Sequence, residues 1–303
     1  MIIIKPITLT DAMITSHSIA ETEVAWSALP TYAAADVVKY GNHKKYSSKQ
    51  GSNLNNIPTA YPDEGAWWLD EGSTNRWNMF DLVTNIESSG TSPVSFTLTP
   101  GTPVSALHFD GIVSDTIDIS VSDGVSEVYA RTVDTRTRDI LSWADFYYEP
   151  YRYKKYVILH DLPRGVANPV ITITLTSSTG TCSLEGFIFG IHYVLGDSMA
   201  EGANYTRLSY SQFDKDNFGT VRLTPRGGAS KANVRVSLDP RSVDRVMNLL
   251  EEFDAQVLSW SAVSSMDLQF FRPFAIRGVY RSPFSLDVAK YVRADLTLEI
   301  EGI

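Results

Sequence analysis

Carboxylates, histidines and aromatic rings carry most of the chemical potential of this chain, and their spacing decides which chemistry they can support. The five histidines, His17, His43, His108, His160 and His192, are too scattered for a metal-ligand or triad spacing. His160 and Asp161 are adjacent, but neighbouring strand residues face opposite ways. There is no G-x-S-x-G, and the single cysteine, Cys182, lies in a strand-like run, so no disulfide, CxxC pair or activated nucleophile is expected. Asp214-Lys215-Asp216-Asn217-Phe218-Gly219 opens like a calcium loop, yet Phe218 takes the fifth position and Pro225 the twelfth, where a bidentate Glu is required. The acid pairs Asp63-Glu64, Asp70-Glu71 and Glu251-Glu252 would serve glycoside hydrolysis only if a cleft held two carboxylates several ångströms apart. Their turn-like surroundings predict solvated faces instead. The expectation is no catalytic residue, no metal and no cofactor.

Two basic stretches bear on nucleic acid. Tyr147-Tyr148-Glu149-Pro150-Tyr151-Arg152-Tyr153-Lys154-Lys155-Tyr156 interleaves cations with rings, a pattern suited to single strands. The formal charge of −9 argues against a phosphate partner, so the segment is read as a strand with its approach loop, tyrosines packed and cations in water. Lys39, His43, Lys44, Lys45 and Lys49 are read as a solvated loop. No uncharged apolar run approaches the length of about 18 residues that crosses a bilayer. Met1-Ile2-Ile3-Ile4-Lys5-Pro6 is far short of a signal peptide's apolar core. A soluble protein without membrane insertion, assembled in a reducing cytoplasm, is expected.

The elements that must position these groups are mostly strands. Apolar residues make up 43% and charged residues 20% of 303 residues, which suits folded globular domains. Residues 1–25 read as an extended arm or first strand. Residues 26–70, rich in Asn, Ser, Tyr and Trp and poor in Leu and Ile, read as a small loop-rich module stapled by aromatics. Across 71–196, Val94/Phe96/Leu98, Ile117/Ile119/Val121 and Ile171/Ile173/Leu175 alternate with polar residues between turn clusters, which predicts an antiparallel β-sandwich with no convincing helix. Residues 197–303 repeat the pattern with Val234/Val236/Leu238 and Val292 to Ile300. One helix is predicted there, with Asp239 as cap, Pro240 in its first turn, and Val243, Val246, Met247, Leu250 and Phe253 as its apolar face.

Trp26-Ser27-Ala28-Leu29-Pro30-Thr31-Tyr32, Ala35-Asp36-Val37-Val38, Lys44-Lys45-Tyr46-Ser47-Ser48, Ile57-Pro58 and Trp67-Trp68 together resemble a chitin-binding-type carbohydrate-binding module. That resemblance implies sugar contacts from Trp26, Tyr32, Tyr46, Trp67 and Trp68, since flat rings stack on sugar C–H surfaces. The same rings would equally make the core of a module that lacks aliphatics. Gly72 to Asp81 with Trp77, Arg131-Thr132-Val133-Asp134, Trp143 to Pro150, Leu159 to Pro163, Phe218-Gly219 and Leu298 to Ile303 resemble a minor tail or baseplate protein of tailed bacteriophages. The resemblance runs from about Trp26 to Ile303. It implies a galactose-binding-like sandwich and a C-terminal β-barrel or sheet domain similar to tail-tube and distal-tail folds, with one packed helix. It also implies a homo-oligomer among other tail proteins in the virion, contacting host surface polysaccharide. The alternatives are a tail-associated glycan-degrading enzyme and a free carbohydrate-binding protein.

Overall fold

The computed structural model describes residues 1–59, 65–81, 86–138, 140–215, 219–263, 271–289 and 293–302. Asp63-Glu64, Asp216-Asn217-Phe218, Val292 and Ile303 lie outside the described residues. The fold is mostly β, as the alternations predict, with curled antiparallel sheet and little helix.

The alternating strands of 71–196 bury the residues that period two assigns to the core. Phe96 and Ile119 both lie opposite Ile173, and all three are buried. Joined by Ile14–His17 from the N-terminal segment, these strands form a five-stranded sheet in the order Glu127–Asp134, Thr116–Ser122, Val170–Thr176, Val94–Leu98, Ile14–His17. Its inner face packs on Leu107, Phe109, Val157, Leu159, Phe187 and Phe189 of a second sheet, giving the sandwich core.

That second sheet has nine strands in the order Tyr156–Leu159, Ala106–Asp110, Gly186–Val194, Ile2–Pro6, Leu258–Ser261, Ala275–Ala289, Arg293–Gly302, Gly228–Leu238, Asp197–Ser209. The first strand of the chain therefore sits inside it, pairing Ile3 with Tyr193 on one side and with Trp260 on the other. Alternation sends Ile3 and Trp260 into a C-terminal core with Val234, Val236, Leu296 and Leu298, and sends Ile4 to the opposite face with Ala106, Ile158 and Ile188. Gly190 makes the first pairing possible, because a Cβ there would lie 1.8 Å from the Lys5 carbonyl oxygen.

The predicted helix is present at Val243–Glu252, preceded by a 3-10 turn at Pro240–Ser242 in which the Asp239 carboxylate accepts from the Arg241 N–H. Val246, Leu250 and Phe253 are buried in the C-terminal core, and Val243 and Met247 pack against it. A second helix, Trp143–Tyr148, stands where no helix was expected, and Tyr147, Tyr148 and Tyr151 are exposed instead of packed, while strands Arg152–Tyr153 and Tyr156–Leu159 follow. Its six residues present no buried face, so hydrophobic periodicity could not announce it. Its signal is the Ser142–Asp145 capping box.

Candidate functional site

Residues 24–73 form the aromatic module. Val24–Ala25 pairs parallel with Val37–Tyr40, which pairs antiparallel with Lys44–Ser48 and through it with Trp68–Ser73. Tyr32, Val38, Tyr46 and Trp68 are its buried core, with Trp26 and Trp67 packed against them. The Tyr32 and Trp68 rings meet edge to face at 5.2 Å, and Trp68 Nε1 donates to the Asn56 carbonyl at 2.8 Å. The Tyr32 hydroxyl accepts from the Ser27 N–H at 2.8 Å. Tyr32, Tyr46 and Trp68 thus have no free face for a sugar, and Trp67 is only half-exposed. So small a module has few aliphatic residues, and its rings supply the apolar area instead.

Trp26 is different. Half-buried, it meets the exposed Tyr40 edge to face at 5.2 Å, and its Nε1 makes no hydrogen bond among the described residues. With Asp11, Glu21, Lys39, Tyr40, Asn42 and His43 it lines a cleft of about 340 Å³. The strands Val37–Tyr40 and Lys44–Ser48 deliver Lys39, Tyr40, Asn42 and His43 through the first strand and the turn between them, where Gly41 and His43 both have positive φ, +67° and +55°. For His43 that backbone is strained. The ring contacts that hold it there are Nδ1 to Glu21 Oε1 at 2.5 Å, Nε2 to Asp11 Oδ1 at 2.6 Å, and stacking on Trp77 at 4.0 Å. Each ring nitrogen thus faces a carboxylate oxygen.

Glu21 is the hub. Burial alone would raise its pKa, but hydrogen bonds from Lys39 at 2.7 Å, from His43 and from Thr74 at 2.9 Å outweigh it and hold the carboxyl at about 2. A group so firmly ionised cannot donate a proton near neutral pH, so the cleft offers no general acid from Glu21. What it offers is an aromatic edge beside carboxylate, ammonium and amide groups, the recognition chemistry of a hydroxyl-rich ligand.

The remaining sequence candidates separate. Lys39, Lys44 and Lys45 are not on a solvated loop but on strands, paired with Glu21, Asp70 at 2.7 Å and Glu71 at 3.6 Å. Asp70 and Glu71 are thereby engaged with cations, and Glu252 pairs with Lys5. Among the described residues no group of three or more His, Cys, Asp and Glu side chains is placed to hold a metal. Asp11, Glu21 and Tyr40 were not singled out by sequence; Asp11 and Glu21 precede the module and reach the cleft only through tertiary packing. No family model, curated protein or solved structure matches the chain.

Proposed function

We propose that this chain is a structural, non-enzymatic subunit of a phage tail tip or baseplate, assembled in several copies in the host cytoplasm and presenting the Trp26–Tyr40 cleft to host-surface glycan. The observation that carries the assembly role is the long hairpin made by Asp197–Ser209 and Gly228–Leu238, whose far end continues as Gln212–Lys215 paired with Val221–Thr224. From Asn204 to Gly228 every described residue is exposed, including Phe213 at 67% and Leu223 at 68%, which lie opposite each other. An arm whose described residues are all exposed, at the end of a sheet whose last strand keeps an open edge among the described residues, is suited to pair with a neighbouring copy.

The glycan role rests on the cleft and on the sequence resemblance to a carbohydrate-binding module. Weak single-site affinity would be amplified by copy number. The enzyme reading loses ground because Asp70, Glu71 and Glu252 are each paired with a lysine and Glu21, held ionised, supplies no general acid.

The test is incorporation of Phe213→Ser/Leu223→Ser protein into particles, with Tyr40→Ala protein run on a glycan array. Loss of incorporation with a folded monomer supports the assembly role. Normal incorporation rejects it, and glycan binding by an isolated monomer alone would favour a free carbohydrate-binding protein. Glycan binding unaffected by Tyr40→Ala would remove the cleft from the reading.

A further inference from the structure

The loop between the Glu127–Asp134 strand and the Tyr156–Leu159 strand is built to display apolar side chains. Its base is closed by pairing of Arg136–Thr137 with Arg152–Tyr153. A helix of six residues is not stable alone, but this one is pinned at its start. The Asp145 carboxylate accepts from the Leu141 and Ser142 N–H groups at 3.0 and 2.7 Å, and Ser142 Oγ accepts from the Asp145 N–H at 3.2 Å. Arg138 stacks on Tyr151 at 4.3 Å and donates to the Phe146 carbonyl at 3.1 Å, which braces the loop from inside.

What this rigid frame holds up is Leu141 at 94% exposure, Tyr148 at 86%, Trp143 at 81% and Tyr147 at 70%. Ile140, Leu141, Trp143 and Phe146 line a groove of about 430 Å³. Residues 136–155 carry five cations (Arg136, Arg138, Arg152, Lys154, Lys155) against three carboxylates (Asp139, Asp145, Glu149) in a chain of net charge −9. Asp145 is consumed by the cap, Glu149 pairs with Arg152 at 2.9 Å, Arg136 pairs with Asp134 just outside this stretch at 3.3 Å, and Asp139 lies outside the described residues.

We infer that this loop is an interfacial anchor for an anionic lipid surface. Leu141 and Trp143 enter the boundary between headgroups and acyl chains, the tyrosines sit at headgroup level, and the surrounding cations meet lipid phosphates. Three features favour lipid over other occupants. Near-complete exposure of Leu141 and Trp143 describes a projecting tip, which a fluid layer envelops without a matching socket. Aliphatic Ile140 and Leu141 gain nothing from a sugar. The local excess of cations complements an anionic surface while the rest of the chain is acidic. This anchor is separate from the glycan cleft, and one loop per subunit gives weak binding that several copies strengthen.

The experiment is co-sedimentation of the full-length protein with vesicles of phosphatidylcholine alone and of equimolar phosphatidylcholine and phosphatidylglycerol. Binding to the mixed vesicles that weakens with added salt is expected, with Leu141→Ser/Trp143→Ser lowering the partition coefficient about tenfold or more. Arg136→Gln/Arg152→Gln should lower binding to the anionic vesicles selectively. These side chains are exposed, so the variants should unfold at the wild-type midpoint. Absence of sedimentation with anionic vesicles, or equal binding by the Leu141→Ser/Trp143→Ser protein, overturns the inference. So does disassembly of an oligomer by that variant in lipid-free solution, which would assign the surface to a second copy.

Discussion

His108 Nδ1 and Ser259 Oγ lie 2.6 Å apart, although two strands separate theirs in the nine-stranded sheet. A flat sheet would hold strands three positions apart at about 14 Å. The sheet is therefore curled tightly enough for side chains on its concave face to meet across it. The same curl buries Arg277 beside Asp110 and Glu185, with Arg277 Nε 3.4 Å from Asp110 Oδ2 and Nη2 3.7 Å from Glu185 Oε1. Gly186 leaves the room, since a Cβ there would collide with the guanidinium.

Replacing Arg277 alone with Leu should cost about 3–5 kcal/mol, because Asp110, whose pKa burial already raises to about 6, would lose the cation that offsets that burial. Adding Asp110→Leu should recover a large part of that loss. Urea unfolding of the two single variants and the double variant checks this, and simple additivity would contradict it.

Gly190→Ala should cost about 3 kcal/mol, the upper end for overpacking, because its Cβ meets the Lys5 backbone. The damage should be local first. Hydrogen exchange should show loss of protection at Ile3 and Ile4 before the five-stranded sheet is affected.

His17 is stacked on Phe96 at 5.6 Å, and burial lowers its pKa from 6.5 to about 4, aided by Arg76. The unfolded chain binds this proton below about pH 6.5 and the folded chain resists it. The stability from neutral His17 is full above 6.5 and is lost as pH falls toward 4. His17→Phe keeps the stacking and removes the titration. Relative to this variant, the wild type should lose stability between pH 6.5 and 4, as urea midpoints across that window would show.

Glu21→Gln should destabilise the chain by about 2 kcal/mol at neutral pH, since hydrogen bonds to a charged group are lost from a largely buried site. Because the folded pKa is depressed to about 2 from 4.5, the wild-type advantage is present above 4.5 and disappears as pH falls through 2. Unfolding measured at pH 7 and again near pH 3 should show the gap narrowing.

Val246→Asp, on the buried face of the Val243–Glu252 helix, should cost about 4 kcal/mol or more. Exposed Arg245 is the control, and Arg245→Asp should leave the thermal midpoint within a few degrees.

Local pattern carried much of the fold and little of the cleft. Val94, Phe96 and Leu98 announce a half-buried strand because period two is a property of neighbouring residues. The Asp239-Pro240 start of the helix is equally local. The three isoleucines at Ile2–Ile4 suit a strand but say nothing of partners near 190 and 260. Nothing in the local pattern singles out Arg277, which is buried by the curl of the sheet. At the cleft, Trp26 was legible as a ring of interest, whereas Tyr32, Tyr46 and Trp68 satisfy the same pattern as core. His43 sat in a basic run that suggested solvent, and the contacts that fix it come from Asp11 and Glu21, 32 and 22 residues away.

The central position of Ile2–Pro6 also sets an order of events during synthesis. The strand leaves the ribosome well before its two neighbours, Gly186–Val194 and Leu258–Ser261, which follow some 180 and 250 residues later. At about 5–20 residues per second, that leaves an apolar strand unpaired for roughly ten seconds or more. The five-stranded sheet can assemble in that interval, because its last strand in the chain ends at Thr176. Joining the sandwich to the C-terminal sheet is therefore a late step of high contact order, and the isoleucine strand is the segment a chaperone has most reason to cover until then.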